Sequence, residues 1–91
     1  MNMRIFEKTH ISTATTTVVK SGQCVLRYIT VNTTAAGTIT VYDNTSAVAP
    51  VVAVIAASVL PQTFRYDAVM TTGITVVTAG ASDITVVYEV V

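Results

Sequence analysis

Residues that could carry out acid–base, nucleophilic or metal chemistry are few in this sequence and lie far apart. The one histidine is His10, the one cysteine is Cys24, and Asp and Glu together number five. A metal site needs several His, Cys, Asp or Glu ligands, and the sequence contains no such cluster. Ser, His and acidic residues all occur, but no nucleophile motif accompanies them. We therefore predict no catalytic residue, no metal, no cofactor and no enzymatic activity.

The potentially reactive side chains have structural interpretations. Asp43 and Asp83 stand where strands are predicted to run into turns, and Asp is favoured there because its side chain bonds to nearby backbone amides. A paired-carboxylate glycosidase site would need a cleft, for which 91 residues leave little room. Cys24 lies in an apolar stretch, which predicts a buried thiol that acts as a small hydrophobic side chain.

The composition favours contact with other protein surfaces. Charged residues make up 11% of the chain and hydrophobic residues 52%, and Thr and Val number 17 each. A small domain cannot bury all of this apolar surface, which predicts an oligomer or a docked subunit. A monomer whose exposed face consists mostly of Thr and Ala is the alternative. The net charge is zero and no basic run occurs, so no nucleic-acid binding is expected.

No segment is predicted to enter a membrane or to direct secretion. The longest apolar run, Ala47 to Leu60, is interrupted by Pro50 and is shorter than the ~20 residues that a bilayer requires. Charged residues occur near the N-terminus where a signal peptide would have its apolar core. Together with the single cysteine, these features predict synthesis in a reducing cytoplasm.

A three-residue phrase, Ile-Thr-Val, occurs four times and determines the predicted fold. Its two aliphatic residues stand two apart with Thr between them, as in a half-buried strand whose Ile and Val face the core. β-Branched side chains also pack well on a pleated sheet. The copies begin at Ile29, Ile39, Ile74 and Ile84.

Seven or eight short strands are predicted, with no convincing helix. At spacings of roughly 8–12 residues, such strands indicate an all-β fold, a single antiparallel β-sandwich that is either jelly-roll-like or immunoglobulin-like. Residues 23–32 are apolar on both faces, which predicts a central strand. Residues 68–72 are predicted to be a connection. The strands predicted most directly are 4–8, 23–32, 38–42, 62–67, 73–78 and 84–91.

Several local features leave alternatives open. Residues 10–20 form either a long edge strand or an arm that lies across a partner. Residues 47–60 form a strand that Pro50 breaks or confines to a sheet edge, or they include a helical turn at Ala53–Ala57. A short loop containing Gly80 predicts a hairpin between the last two strands. The four tyrosines either pack within the sheets or anchor a subunit contact.

The chain is predicted to form one domain, in which residues 1–20 are an N-terminal strand or arm and residues 21–91 are the β-sandwich core. The Thr-rich segment has a high β-propensity without a clean alternation of inward and outward residues. We therefore hypothesise that Ile11–Lys20 pairs with a neighbouring chain. The candidate partner-contact residues are Ile11, Thr13, Thr15, Thr17 and Val19.

Four strand-and-turn phrases carry a resemblance to a known class of proteins. They are Gly37-Thr-Ile-Thr-Val-Tyr-Asp-Asn-Thr-Ser-Ala47, Phe64-Arg-Tyr-Asp67, Thr72-Gly-Ile-Thr-Val-Val-Thr-Ala-Gly80 and Asp83-Ile-Thr-Val-Val-Tyr88. Over roughly residues 23–90 the chain resembles short β-sandwich structural proteins of tailed bacteriophages, found among head-decoration (cement) and tail-associated proteins.

The resemblance implies a virion component on the capsid surface with no catalytic residues. The major capsid protein would be its partner, and a symmetric homo-oligomer, a dimer or a trimer, would bury the excess apolar surface. The alternative is a tail- or fibre-associated module that binds a host surface or other tail proteins. The predicted loops 32–37, 43–47 and 79–83 contain no aromatic residue, which favours the decoration role.

Overall fold

A computed structural model describes residues 5–90 as eight β-strands, so Arg4 and Val91, the outer ends of two predicted strands, lie outside the described residues. Alternating β-branched and polar residues account for most of these strands. Their bounds are β1 Ile5–Ile11, β2 Thr16–Ser21, β3 Cys24–Thr33, β4 Ile39–Tyr42, β5 Val51–Ile55, β6 Thr63–Met70, β7 Gly73–Thr78 and β8 Asp83–Val90.

The strands form two four-stranded antiparallel sheets. The first sheet has the order β1-β8-β3-β6 and the second the order β2-β7-β4-β5. Only β4 and β5 are consecutive strands that pair directly, and every other connection crosses from one sheet to the other. An immunoglobulin sandwich keeps several consecutive strands paired within a sheet, whereas a jelly roll alternates between its sheets. The predicted β-sandwich is therefore confirmed, in its jelly-roll form.

The four Ile-Thr-Val phrases lie on the four central strands, two in each sheet. Their Ile and Val side chains are all buried between the sheets, as the sequence predicts. In the first sheet Ile29 is paired with Val86, and in the second Val41 is paired with Val76. The middle Thr of the β7 phrase, Thr75, is also buried, and its hydroxyl donates a hydrogen bond to the Asn44 carbonyl at 2.7 Å.

Larger side chains and the thiol complete the core. Leu26 and Met70 are fully buried between the sheets, and Cys24 is a free, buried thiol whose pKa is raised by burial. Tyr66 and Tyr88 pack against the same cluster, and burial raises the pKa of both phenols. These two tyrosines therefore have the packing role.

The structure corrects two of the predicted elements. β7 and β8 do not form a hairpin, because β7 belongs to the second sheet and β8 to the first. Residues 68–70 are not part of a connection, because β6 continues to Met70. The burial of β6 alternates without interruption from Thr63 to Met70. A bulge occurs at Asp67, where the pairing with β3 shifts register and φ is 50°, in the left-handed region.

The two ambiguous segments are strands at sheet edges. Residues 51–55 form β5 rather than a helical turn, directly after Pro50 and at the edge of the second sheet. Residues 10–20 contain the end of β1 and most of β2, which are edge strands of different sheets. The predicted strand 23–32 is central, since β3 pairs with both β8 and β6.

The loops that join β3 to β4 and β7 to β8 touch at one end of the sandwich. A Cβ atom on Gly37 would lie only 2.3 Å from the Gly80 nitrogen. The Ala35 amide donates a hydrogen bond to the Ser82 hydroxyl at 3.1 Å. Gly37 is therefore required by a close backbone approach rather than by turn geometry.

Candidate functional site

Ionisable side chains are distributed unequally between the two sheets. Within residues 5–90 the first sheet carries eight Asp, Glu, Lys, Arg or His residues and the second sheet carries only Lys20. The surfaces that these sheets turn outward therefore differ in what they can bind. The eight residues of the first sheet are Glu7, Lys8, His10, Arg27, Arg65, Asp67, Asp83 and Glu89.

Arg27 lies at the centre of a charge network on the first sheet. Its Nε is 3.3 Å from an Asp67 carboxylate oxygen and 3.8 Å from one of Glu89, and its guanidinium carbon is 5.3 Å from the centre of the Phe6 ring. Arg65 approaches the other Asp67 oxygen at 3.2 Å. The guanidinium is thus held by opposite charges and by a cation–π contact. This arrangement is typical of a structural network.

A second polar group brings His10 and Asp83 together from positions far apart in the sequence. His10 Nε2 lies 2.7 Å from Asp83 Oδ1, and Asn32 Nδ2 donates to the same oxygen at 2.9 Å. The hydrogen bonds from Asn32 and His10 lower the pKa of Asp83, although its slight burial opposes them. Asn32 Nδ2 also donates to the Thr85 hydroxyl at 3.3 Å, so this one amide group joins Asp83 to Thr85.

Asp43 fixes the turn between β6 and β7. Its carboxylate accepts hydrogen bonds from the backbone amides of Thr71, Thr72 and Gly73 at 2.9–3.3 Å, and from the Thr71 hydroxyl at 3.1 Å. Partial burial raises the pKa of Asp43, but these bonds outweigh it and the pKa is lowered overall. Asp43 thus has a structural role at a turn, but the amides it binds lie 28–30 residues away rather than nearby in the sequence as predicted.

An open groove of about 360 Å³ lies on the first sheet between β3 and β6, lined by Tyr28, Thr30, Thr63 and Arg65. The two threonine hydroxyls bond to each other at 3.0 Å, and Arg65 is paired with Asp67. Three of its four lining side chains, Thr30, Thr63 and Arg65, therefore already have polar partners within the chain. Within residues 5–90, no group of three or more His, Cys, Asp or Glu side chains could hold a metal ion, and no helix is long and apolar enough to cross a bilayer.

The second sheet presents an uncharged surface of Val, Thr and Tyr. Residues 44–64, which include the loop before β5, the strand itself and the loop after it, contain no Asp, Glu, Lys, Arg or His. Four large apolar side chains in this stretch are at least half exposed, and Leu60 is 77% exposed. We call them the β5 apolar patch: Val48, Val51, Val54 and Leu60.

The predicted partner-contact residues are occupied by contacts within the chain. Ile11 is buried in the core, and Val19 packs against it. The Thr13 carbonyl accepts a 2.6 Å hydrogen bond from the Thr78 hydroxyl, and the Thr15 amide donates to that hydroxyl at 3.1 Å. Thr17 is half-buried on β2. A contact between chains through the free edge of β2 stays a prediction.

Sequence reasoning missed the β5 apolar patch as a surface, although a signal for it was present. The absence of charge from residues 44–64 can be read from the sequence, but the same run also fits a strand buried on both faces. Pro50 favoured an edge position, where such a run would be exposed. The structure decides between the two cases by placing β5 at a sheet edge.

Within residues 5–90, fold and surface define a small, eight-stranded, two-sheet β-sandwich of jelly-roll topology, in which the first sheet is rich in charged residues and the second carries Lys20 alone. Comparison of the chain with protein-family models, with curated proteins and with solved structures found no match. A function must therefore be inferred from the sequence and the surface of the chain itself.

Proposed function

We propose that the chain is a structural virion protein that decorates and stabilises the head shell of a tailed bacteriophage. The observation that carries the proposal is the β5 apolar patch at a sheet edge without charged residues. Large apolar side chains that are contiguous and exposed mark protein–protein contact surfaces. The resemblance of the strand-and-turn phrases to phage cement proteins indicates that the partner assembly would be a phage head shell.

The chemistry of the surface suits repeated attachment to a symmetric shell. A decoration protein binds many equivalent sites by apolar contacts and by strand addition, and an uncharged edge strand can provide both. The net charge of zero lets many copies gather on one surface without long-range repulsion. In this proposal the partner is the major capsid protein, and the charged first sheet faces solvent.

The proposal is tested by the number of copies per purified virion, measured by quantitative mass spectrometry against the major capsid protein. We expect a copy number of the same order as that of the capsid protein. A handful of copies per virion would instead indicate a tail- or fibre-associated module. Absence from virions would refute both roles.

A second measurement tests the surface. We expect Val54→Lys to reduce the number of copies bound per shell, because a charge at the centre of the β5 apolar patch would have to be desolvated on docking. The matched control is Val69→Lys on the charged first sheet, since both valines are 62% exposed on edge strands. An equal loss for both variants would contradict docking through the second sheet.

A further inference from the structure

Four strands form the edges of the two sheets, and only one of them lacks an ionisable residue. β1 carries Glu7, Lys8 and His10, β6 carries Arg65 and Asp67, and β2 carries Lys20. The fourth, β5, has the sequence Val-Val-Ala-Val-Ile. β5 pairs with β4 on one side and is the last strand of its sheet on the other.

An edge strand of this kind is open to pairing with another strand. Natural sheets protect their edges with charged side chains, proline or bulges, because unpaired N–H and C=O groups recruit further strands. Pro50 and the irregularity in the pairing with β4, which leaves Val52 without a partner in β4, affect only the start of β5, so residues 53–55 stay regular and uncharged. Val54 at the centre of this regular part is 62% exposed.

We infer that β5 pairs antiparallel with β5 of a second copy of this chain, which joins two second sheets into one continuous eight-stranded sheet. The contact is isologous, with the same strand contributed by both copies about a twofold axis. It concerns the chain in solution, where no shell occupies the same β5 edge.

The absence of charge on β5 indicates which strand pairs with it, namely β5 of a second copy. If β1, β2 or β6 of another copy were placed against β5, a charged side chain would approach a surface on which residues 44–64 offer no opposite charge. Losing part of the hydration of such a charge without a partner is costly. Among the described edges, the one that complements an uncharged strand is therefore β5 itself, and pairing two copies of it buries no charge.

The regular part of β5 fixes the register of the pairing. An antiparallel pair that uses residues 53–55 is centred on Val54 and places Val54 opposite Val54 of the partner subunit. The Cβ atoms of such a pair lie roughly 4.5–5.5 Å apart, so like charges at this position would repel each other. Val48 and Leu60 flank the strand and add apolar area, since both are more than half exposed.

Sedimentation velocity of the purified chain over a concentration series tests the inference. We expect a reversible dimer of twice the 9.6 kDa chain mass, with a dissociation constant in about the micromolar to millimolar range for so small an interface. Val54→Lys should raise the dissociation constant at least about tenfold by placing like charges across the axis. Val69→Lys should leave it unchanged, and circular dichroism verifies that both variants are folded.

A charge-swap pair tests the register. Val54→Lys and Val54→Glu should each be monomeric alone and should form a heterodimer when mixed, whereas Val69→Lys mixed with Val54→Glu should not gain affinity. A wild-type chain that stays monomeric at about 1 mM, a closed trimer, or equal effects of the Val54 and Val69 variants would overturn the inference. Because no shell is present, these outcomes are independent of copy number in virions.

Discussion

The two sheets are nearly equivalent on their inner faces and different on their outer ones. Each contributes two Ile-Thr-Val phrases to the core, and all eight aliphatic residues of these phrases are buried. Outside, the first sheet carries eight ionisable residues and the second carries Lys20 alone. Because core packing makes the same demand on both sheets, the difference between their outer faces is not required by the core.

That difference also changes how the local structure is stabilised. On the first sheet, polar side chains bond to one another across strands, as in the contact between His10 and Asp83. At the end of the second sheet, the Asp43 carboxylate bonds instead to backbone amides of the turn between β6 and β7.

The largest expected effect tests the equivalence of the inner faces. Ile29→Ala in the first sheet and Ile74→Ala in the second remove fully buried side chains and should each lower the free energy of unfolding by about 2–5 kcal/mol. Urea denaturation at pH 7 gives the values. If the alanine variants do not fold, Ile29→Val and Ile74→Val replace them, each with an expected loss of unfolding free energy of about 0.5–1.5 kcal/mol. A much smaller loss of unfolding free energy for one of the two alanine variants than for the other would show that the inner faces are not equivalent.

A smaller effect should separate the two carboxylates. Asp43→Ala leaves the amides of Thr71, Thr72 and Gly73 without their acceptor and should cost about 1–2 kcal/mol, a value reduced by solvent access. Asp83→Ala removes bonds from two exposed side chains and should cost less. Thermal unfolding of both variants at neutral pH makes the comparison, which an equal or reversed order would contradict.

The smallest effect is a dependence of stability on acid pH. The pKa of Asp43 in the folded chain lies below its ordinary value of 3.8, so its contribution is complete well above pH 3.8 and is lost as the pH falls through the folded pKa. We expect stability to fall below about pH 4, and to fall less steeply in Asp43→Asn. Urea midpoints at pH 6, 4 and 3 provide the measurement. Identical slopes for the variant and the wild type would show that Asp43 is not the responsible group.

The inner faces could be predicted from the sequence because alternation is local information. Ile39 and Val41 stand two apart on β4, and both are buried. The same reasoning failed at the predicted hairpin, since a short loop containing Gly80 fits both a return within one sheet and a crossing to the other. That choice depends on which strands lie next to β7 and β8, and this is a property of the whole chain.

The sequence predicted that an apolar contact surface exists, but not where on the molecule it lies. The excess of apolar residues predicted an exposed contact surface. We assigned that surface to the Thr-rich segment because its alternation of inward and outward residues is poor. The structure accounts for this pattern without a partner: Ile11 ends β1 in the core, and the threonines of the following turn bond to Thr78. The β5 apolar patch follows instead from an edge position that the sequence left open.

The position of β8 between β1 and β3 constrains how the chain reaches this fold. Ile5 pairs with Val90, and Cys24 pairs with the same residue from the other side. During synthesis, β1 and β3 therefore cannot be joined in the first sheet until β8 has emerged from the ribosome. A topology so rich in long-range pairs folds slowly for its size. Before β8 emerges, strand edges that are paired in the folded chain are open, which favours aggregation.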